Sequence, residues 1–173
     1  MVVSNMRRDV YREWVPAGSL VKILVGSISS LTLCALLILV LTGLAFQNLF
    51  WVLVPSSALV FLLLLFWNYR GIEIRLSNKK LLIDYGLLNH KSFSLEDIVS
   101  CEPTDASFRR YGGVGVRYGF DGSWAYTTSF GDAVKITPRK GRHFVFSSSN
   151  PRRICDIICQ IKSGKSTLKA QKQ

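Results

Sequence analysis

Ile23 to Tyr69 constrains this chain more than any other stretch, because two apolar runs without a charged residue follow each other there, separated by Gln47 and Asn48. Ile23 to Phe46 is 24 residues. As a helix rising ~1.5 Å per residue it would span roughly 36 Å, enough to cross a ~30 Å hydrocarbon core with some tilt. Leu49 to Trp67 adds 19 residues, of which 13 are Leu, Val or Phe. At about −0.3 to −0.6 kcal/mol each for membrane insertion, these outweigh Pro55, Ser56 and Ser57. Two buried helices of a soluble core would each keep a polar face, and neither run has one. A secretory leader would have a shorter apolar region and a cleavage site, whereas here a second apolar run follows at once.

The charge flanks orient this hairpin. Arg7, Arg8, Arg12 and Lys22 precede the first run and Arg70, Arg75, Lys79 and Lys80 follow the second, with no charge in the turn between them. The excess of Lys and Arg on one side predicts a multi-pass protein of the cell (inner) membrane with both termini cytoplasmic. Trp14, Trp67 and Tyr69 at one level, and Phe50 and Trp51 at the other, supply interfacial aromatic belts. Gly26 and Ser30 make a small-xxx-small pair at which helices can approach closely, within the hairpin or in a homo-oligomer.

The sequence divides into a cytoplasmic N-terminal segment (1–19), the hairpin (20–69), a β domain (70–163) and a basic tail (164–173). The first segment, with Arg7, Arg8, Asp9, Arg12 and Glu13, reads as a surface-lying turn of helix. After the hairpin the period becomes two. Gly71–Leu76 and Leu81–Tyr85 flank the turn Ser77–Lys80, and His90–Leu95 follows Gly86 as a third strand. A fourth surrounds Ser100–Glu102. Asp105–Gly113 reads as the longest loop, carrying Phe108, Arg109, Arg110 and Tyr111. Val114–Tyr118 and Ser123–Thr128 flank Phe120–Gly122, and Ala133–Thr137 pairs with His143–Ser147 across Arg139, Lys140, Gly141 and Arg142. Asn150 is a suitable N-cap and Pro151 a suitable first helical residue. Ile154, Ile157, Ile158 and Ile161 then recur at helical spacing, and a disordered basic tail is expected from Lys162.

About seven short antiparallel strands and one closing helix is the order of a pleckstrin-homology-like barrel. Tyr85-Gly86-Leu87-Leu88, Ser94-Leu95-Glu96-Asp97-Ile98, Arg110-Tyr111-Gly112-Gly113-Val114-Gly115-Val116-Arg117, Ala125-Tyr126 and Ser149-Asn150-Pro151 extend the likeness. Together they resemble small prokaryotic membrane proteins with a bacterial pleckstrin-homology-like domain, over about Gly71 to Lys162. The resemblance implies a fold and a membrane setting but no substrate. Lys79 and Lys80 are not followed by the basic-x-Arg spacing of phosphoinositide-binding relatives, so that ligand is not implied.

From Arg70 to Gln173 there are 18 Lys and Arg against 9 Asp and Glu, so +9 of the chain's net +11 lies beyond the hairpin. Two spans already hold the domain at the membrane, so this charge is better read as orienting the domain or binding something acidic: a protein segment or anionic head groups. Nucleic acid is disfavoured, because the basic residues are not gathered on one helix. The candidate surface is Arg109, Arg110, Tyr111, Arg139, Lys140 and Arg142. Arg152 and Arg153 join it, because in a first helical turn they oppose the macrodipole and call for an acidic partner.

No chemistry is spelled out. Gly164-Lys165-Ser166-Thr167 imitates the end of a phosphate loop, but the earlier glycine it requires falls at Cys159. The glycines at 112, 113, 115 and 119 lack dinucleotide spacing and suit a bulge or a positive-φ loop. His90 and His143 lie in strand or turn patterns with no catalytic-looking Ser, Cys or Asp motif near them in sequence. Cys34, Cys101, Cys155 and Cys159 read as apolar fillers facing a reducing compartment, not as disulfide or zinc partners. The expectation is a noncatalytic binding or scaffolding module with no cofactor or metal. The competing reading is an accessory subunit of a transporter or enzyme complex, docking through its hairpin. The spans offer it only Ser27, Ser29, Ser30, Thr32 and Thr42, none ionisable.

Overall fold

The computed structural model describes residues 9–44, 48–107, 111–119 and 122–170, with side chains of the last helix through Ser163. Two compact units emerge, one formed by the hairpin and the other by the β domain together with the segment that precedes the hairpin.

In the hairpin unit, α1 (Ser19–Leu41) and α2 (Phe50–Asn68) are long and apolar enough to cross a membrane. The first helix stops short of Phe46. Gly43 takes φ 74°, and Thr42 and Gly43 return their N–H groups to the Ile38 and Val40 carbonyls, closing the helix as a residue in the left-handed region does. Asn48 accepts the Phe50 N–H through Oδ1 at 2.9 Å, which starts α2. Neither helix has a buried residue. Core helices of a soluble protein would be largely covered, so these surfaces call for an apolar surrounding.

The β domain contains nine strands among the described residues, in two sheets. The first sheet runs β1-β2-β3-β4: β1 (Asp9–Pro16), β2 (Gly71–Ser77), β3 (Lys80–Tyr85) and β4 (Asn89–Ser94). Period-two patterning puts Ile72, Ile74 and Leu76 opposite Tyr85, Ile83 and Leu81, all buried. The other face carries Arg12, Glu73, Arg75 and Asp84 as a solvent-side charge ladder. The segment read as a helical turn is instead strand β1 over Asp9–Pro16, paired with β2 in antiparallel register from Tyr11↔Leu76 to Pro16↔Gly71. The hairpin is therefore inserted between two neighbouring strands of one sheet. A Cβ at Gly71 would lie 2.5 Å from the Trp14 ring and 2.8 Å from the Val15 carbonyl, so only glycine fits where the chain re-enters the sheet.

The second sheet runs β5-β8-β9-β7-β6: β5 (Ile98–Ala106), β6 (Gly115–Tyr118), β7 (Trp124–Thr127), β8 (Gly131–Pro138) and β9 (Phe144–Ser147). The expected hairpins β6–β7 and β8–β9 form. The expected all-antiparallel closed barrel does not: β9 inserts beside β7 and pairs with it in parallel, and among the described residues no ladder joins the two sheets. They pack through side chains, with Tyr85 on Tyr126 at 5.9 Å and Phe93 on Phe144 at 5.2 Å between ring centres. Helix α3 (Pro151–Ala170) does not plug a barrel but packs on β5 and β8 through Ile154 and Ile158, 0% and 1% exposed. Its backbone continues through most of the expected disordered tail.

The reading of the cysteines is corrected as well. Cys101 of β5 and Cys155 of α3 form a disulfide with a Cα separation of 5.4 Å, while Cys34 and Cys159 are free. The pairing arises because the helix returns across 54 residues to lie on β5, a proximity that sequence spacing does not reveal.

Candidate binding surface

The basic residues expected to act together fall into two places, and two of them, Arg109 and Arg110, lie outside the described residues. The first place is one end of the domain. Leu95 donates its N–H to the Lys79 carbonyl at 3.0 Å and Arg139 donates its N–H to the Asp97 carbonyl at 2.6 Å. These bonds gather the β2–β3, β4–β5 and β8–β9 turns. Lys79, Lys80, Arg139, Lys140 and Arg142 are all exposed there, with Glu96 and Asp97 among them. At the foot of α3, Lys162 donates to the Ile98 carbonyl at 2.5 Å.

On this end Arg142 lies over the Tyr118 ring at 5.1 Å, and Tyr118 meets Trp124 edge-on at 5.6 Å. Tyr118 and Trp124 are 51% and 42% exposed, so two aromatic rings and a guanidinium form one open surface. Strand pairing builds it: Tyr118 faces Trp124 across β6–β7, Trp124 registers with Phe144 on β9, and the Trp124 N–H reaches the His143 carbonyl at 3.0 Å. The arrangement sets a cation against one ring face and leaves a second ring open beside it. Tyr118 and Trp124 were not singled out in the sequence, since each sits in an ordinary strand pattern.

The second place is the start of α3, where Arg152 and Arg153 line an open cleft of about 520 Å³ with Asp132, Ser149, Asn150, Pro151 and Asp156. Here the acidic group is internal. Glu13 of β1 accepts the Ser149 N–H at 2.6 Å, the Ser148 hydroxyl at 3.0 Å and the Tyr11 hydroxyl at 2.9 Å. Arg153 lies over the Tyr11 ring at 5.7 Å. Burial pushes the Tyr11 phenol above its ordinary pKa, and the bond to Glu13 adds to the shift. Arg153 thus has partners within the fold.

No protein-family profile, curated protein or solved structure matches this chain. The surface therefore has to be read from its own geometry.

Tyr111 leaves the candidate surface. It is 5% exposed, packs with Ala106, Ala125, Ala133 and Val145, and its hydroxyl meets Ser123 Oγ at 3.3 Å. The three alanines leave a hollow on the outer face of the second sheet, and the Tyr111 ring fills it. Beside it, Gly112, Gly113 and Gly115 take φ of 66°, 149° and 112°, the positive-φ loop that the glycine run called for.

His90 contacts Asp84 Oδ1 through Nδ1 at 2.9 Å and the Leu87 carbonyl through Nε2 at 2.8 Å, and His143 Nδ1 meets the Thr137 hydroxyl at 3.0 Å. Among the described residues no group of three His, Cys, Asp or Glu side chains is placed to hold a metal ion.

Proposed function

We propose that this protein is a membrane-anchored, noncatalytic binding module whose domain, related to the pleckstrin-homology-like folds, presents its basic aromatic end to an acidic protein segment in the cytoplasm. The observation that carries this reading is the exposed Arg142–Tyr118–Trp124 stack among Arg139, Lys140, Lys79 and Lys80. Two mainly antiparallel sheets and a C-terminal helix support the fold relation, although the open barrel and the parallel β7–β9 pair depart from it. The β1–β2 pairing supports a two-span anchor with both flanks on one side, since Pro16 and Gly71 are partners.

The basic turns lie at the Ser77–Lys80 end of the first sheet, and the chain passes into the hairpin at the Pro16–Gly71 end, seven residues of β2 away, about 23 Å along the strand at ~3.3 Å per residue.

The test is binding of a fluorescent poly-glutamate peptide to the full-length protein in neutral lipid nanodiscs. Binding should weaken steeply with added salt and fall at least about tenfold, the equivalent of about 1.4 kcal/mol, in Arg139→Glu/Arg142→Glu. Equal binding by this variant would overturn the assignment. If the same variant instead loses affinity only for anionic vesicles, the surface belongs to lipid.

One observation favours the second reading, docking through the hairpin. Gly26 and Ser30 are exposed, and a Cβ built at Gly26 has nothing within 4 Å, so the hairpin's own packing leaves this small-residue face open to another helix.

A further inference from the structure

The turn between β3 and β4 carries residues that a water-facing turn rarely uses. Gly86 turns the chain with φ 70°, and Leu87 and Leu88 follow, 77% and 78% exposed, the largest exposures among the large apolar side chains of the described residues. Turn tips are ordinarily Gly, Pro, Asn, Asp or Ser, and such exposure removes these leucines from any part in the core. The turn is nonetheless held firmly, because His90 ties it from both ring nitrogens, to Asp84 and to the Leu87 carbonyl. Two leucines are thus fixed outward.

Register shows which way they point along the sheet. Ile72 pairs with Tyr85, Tyr85 pairs with Asn89, and Gly71, the residue before Ile72, pairs with Pro16. The tip stands at the end of the first sheet where the chain leaves for α1 and returns from α2. Ser19 begins α1 three positions after Pro16 and Asn68 ends α2 three positions before Gly71. Each tether is thus at most about 10 Å of extended chain. Lys79 and Lys80 lie at the opposite end.

We infer that Leu87 and Leu88 form a third membrane contact, inserted at the boundary between head groups and acyl chains, which fixes the tilt of the domain on the bilayer. This rests on the proposed membrane placement of the hairpin. An anchored domain without such a contact would swing on its two tethers, and two leucines held at the tethered end remove that freedom. Lipid is the fitting occupant because the same end of the sheet is covalently joined to both apolar helices.

The test uses full-length protein in phosphatidylcholine–phosphatidylglycerol vesicles, with the free thiols removed by Cys34→Ser and Cys159→Ser. A polarity-sensitive fluorophore is placed by Leu87→Cys, Leu88→Cys, Phe61→Cys or Asn78→Cys, and quenched by lipids carrying nitroxides at graded depths from the head group to the middle of the bilayer. Labels at 87, 88 and 61 should lose fluorescence, and the label at 78, beyond the far end of β2, should not. If 61 is quenched while 87 and 88 behave like 78, the turn does not insert and the hairpin reading stands. If 61 itself is not quenched, the membrane reading fails and takes this inference with it. Blue-shifted but unquenched emission at 87 and 88 would mean burial in a protein contact, which also overturns insertion.

Discussion

The Glu13 carboxylate accepts the Ser149 backbone N–H at 2.6 Å, joining residues 136 positions apart. Glu13 belongs to the strand before the hairpin and Ser149 stands two residues before α3, so one side chain ties β1 to the start of that helix. Ser148 and Tyr11 add two further hydrogen bonds to the same carboxylate. An anion beside the first turn of α3 also suits the helix dipole, where Arg152 and Arg153 alone would not.

Hydrogen bonds to a charged group contribute about 1.5–3 kcal/mol when shielded, and Glu13 is half-buried, so Glu13→Ala should destabilise the β domain by about 1–2 kcal/mol. Glu13→Gln, which keeps an acceptor, should lose less. Denaturant unfolding of the full-length protein in detergent micelles measures both, and an unchanged midpoint in Glu13→Ala would remove Glu13 as a tie.

His90 predicts a pH dependence. Only an imidazolium donates from both nitrogens, to Asp84 and to the Leu87 carbonyl, and these bonds raise the His90 pKa, the Asp84 contact contributing most. The folded value therefore lies above the ~6.5 of an unfolded chain. The stabilisation is complete below pH ~6.5 and is lost as the pH rises through the raised folded pKa. An NMR titration of the His90 ring should show a midpoint above the ordinary histidine value, moving back toward it in Asp84→Asn. A midpoint at or below the ordinary value would show that the turn is not clamped this way.

The Cys101–Cys155 bond closes a separation of 54 residues, for which chain entropy gives about 4 kcal/mol of stabilisation. Purified under oxidising conditions, the protein should lose about 2–4 kcal/mol of stability on reduction, and Cys101→Ala/Cys155→Ala should be insensitive to reductant. Under the proposed cytoplasmic placement the pair should be alkylatable as thiols after rapid acid quenching of cells. Full oxidation in cells would place the domain in an oxidising compartment instead.

Local signals were readable from the residues, and long-range ones were not. The β2–β3 and β8–β9 hairpins, the Asn150–Pro151 helix start and the positive-φ glycines each follow from neighbours in sequence. Strand β1 escaped because it is an edge strand with only Val15 buried, so Asp9–Pro16 shows no apolar alternation. The insertion of β9 beside β7, like the disulfide, depends on contacts between distant segments that no periodicity encodes. Tyr111 looked like part of a binding loop because the hollow it fills is lined by Ala106, Ala125 and Ala133, whose proximity only the fold creates. The Arg139–Arg142 turn was legible as a basic loop, but its aromatic partners came from β6 and β7.

An inserted hairpin that anchors the domain with both flanks on the cytoplasmic side is tested most directly by labelling. In a background with all four cysteines replaced (Cys34→Ser, Cys101→Ala, Cys155→Ala, Cys159→Ser), Asn48→Cys between the helices and Lys140→Cys on the basic end are exposed to a membrane-impermeant maleimide in intact cells. Labelling is expected at 48 before lysis and at 140 only after permeabilisation. Labelling at 140 in intact cells, or protection at 48, would contradict that placement.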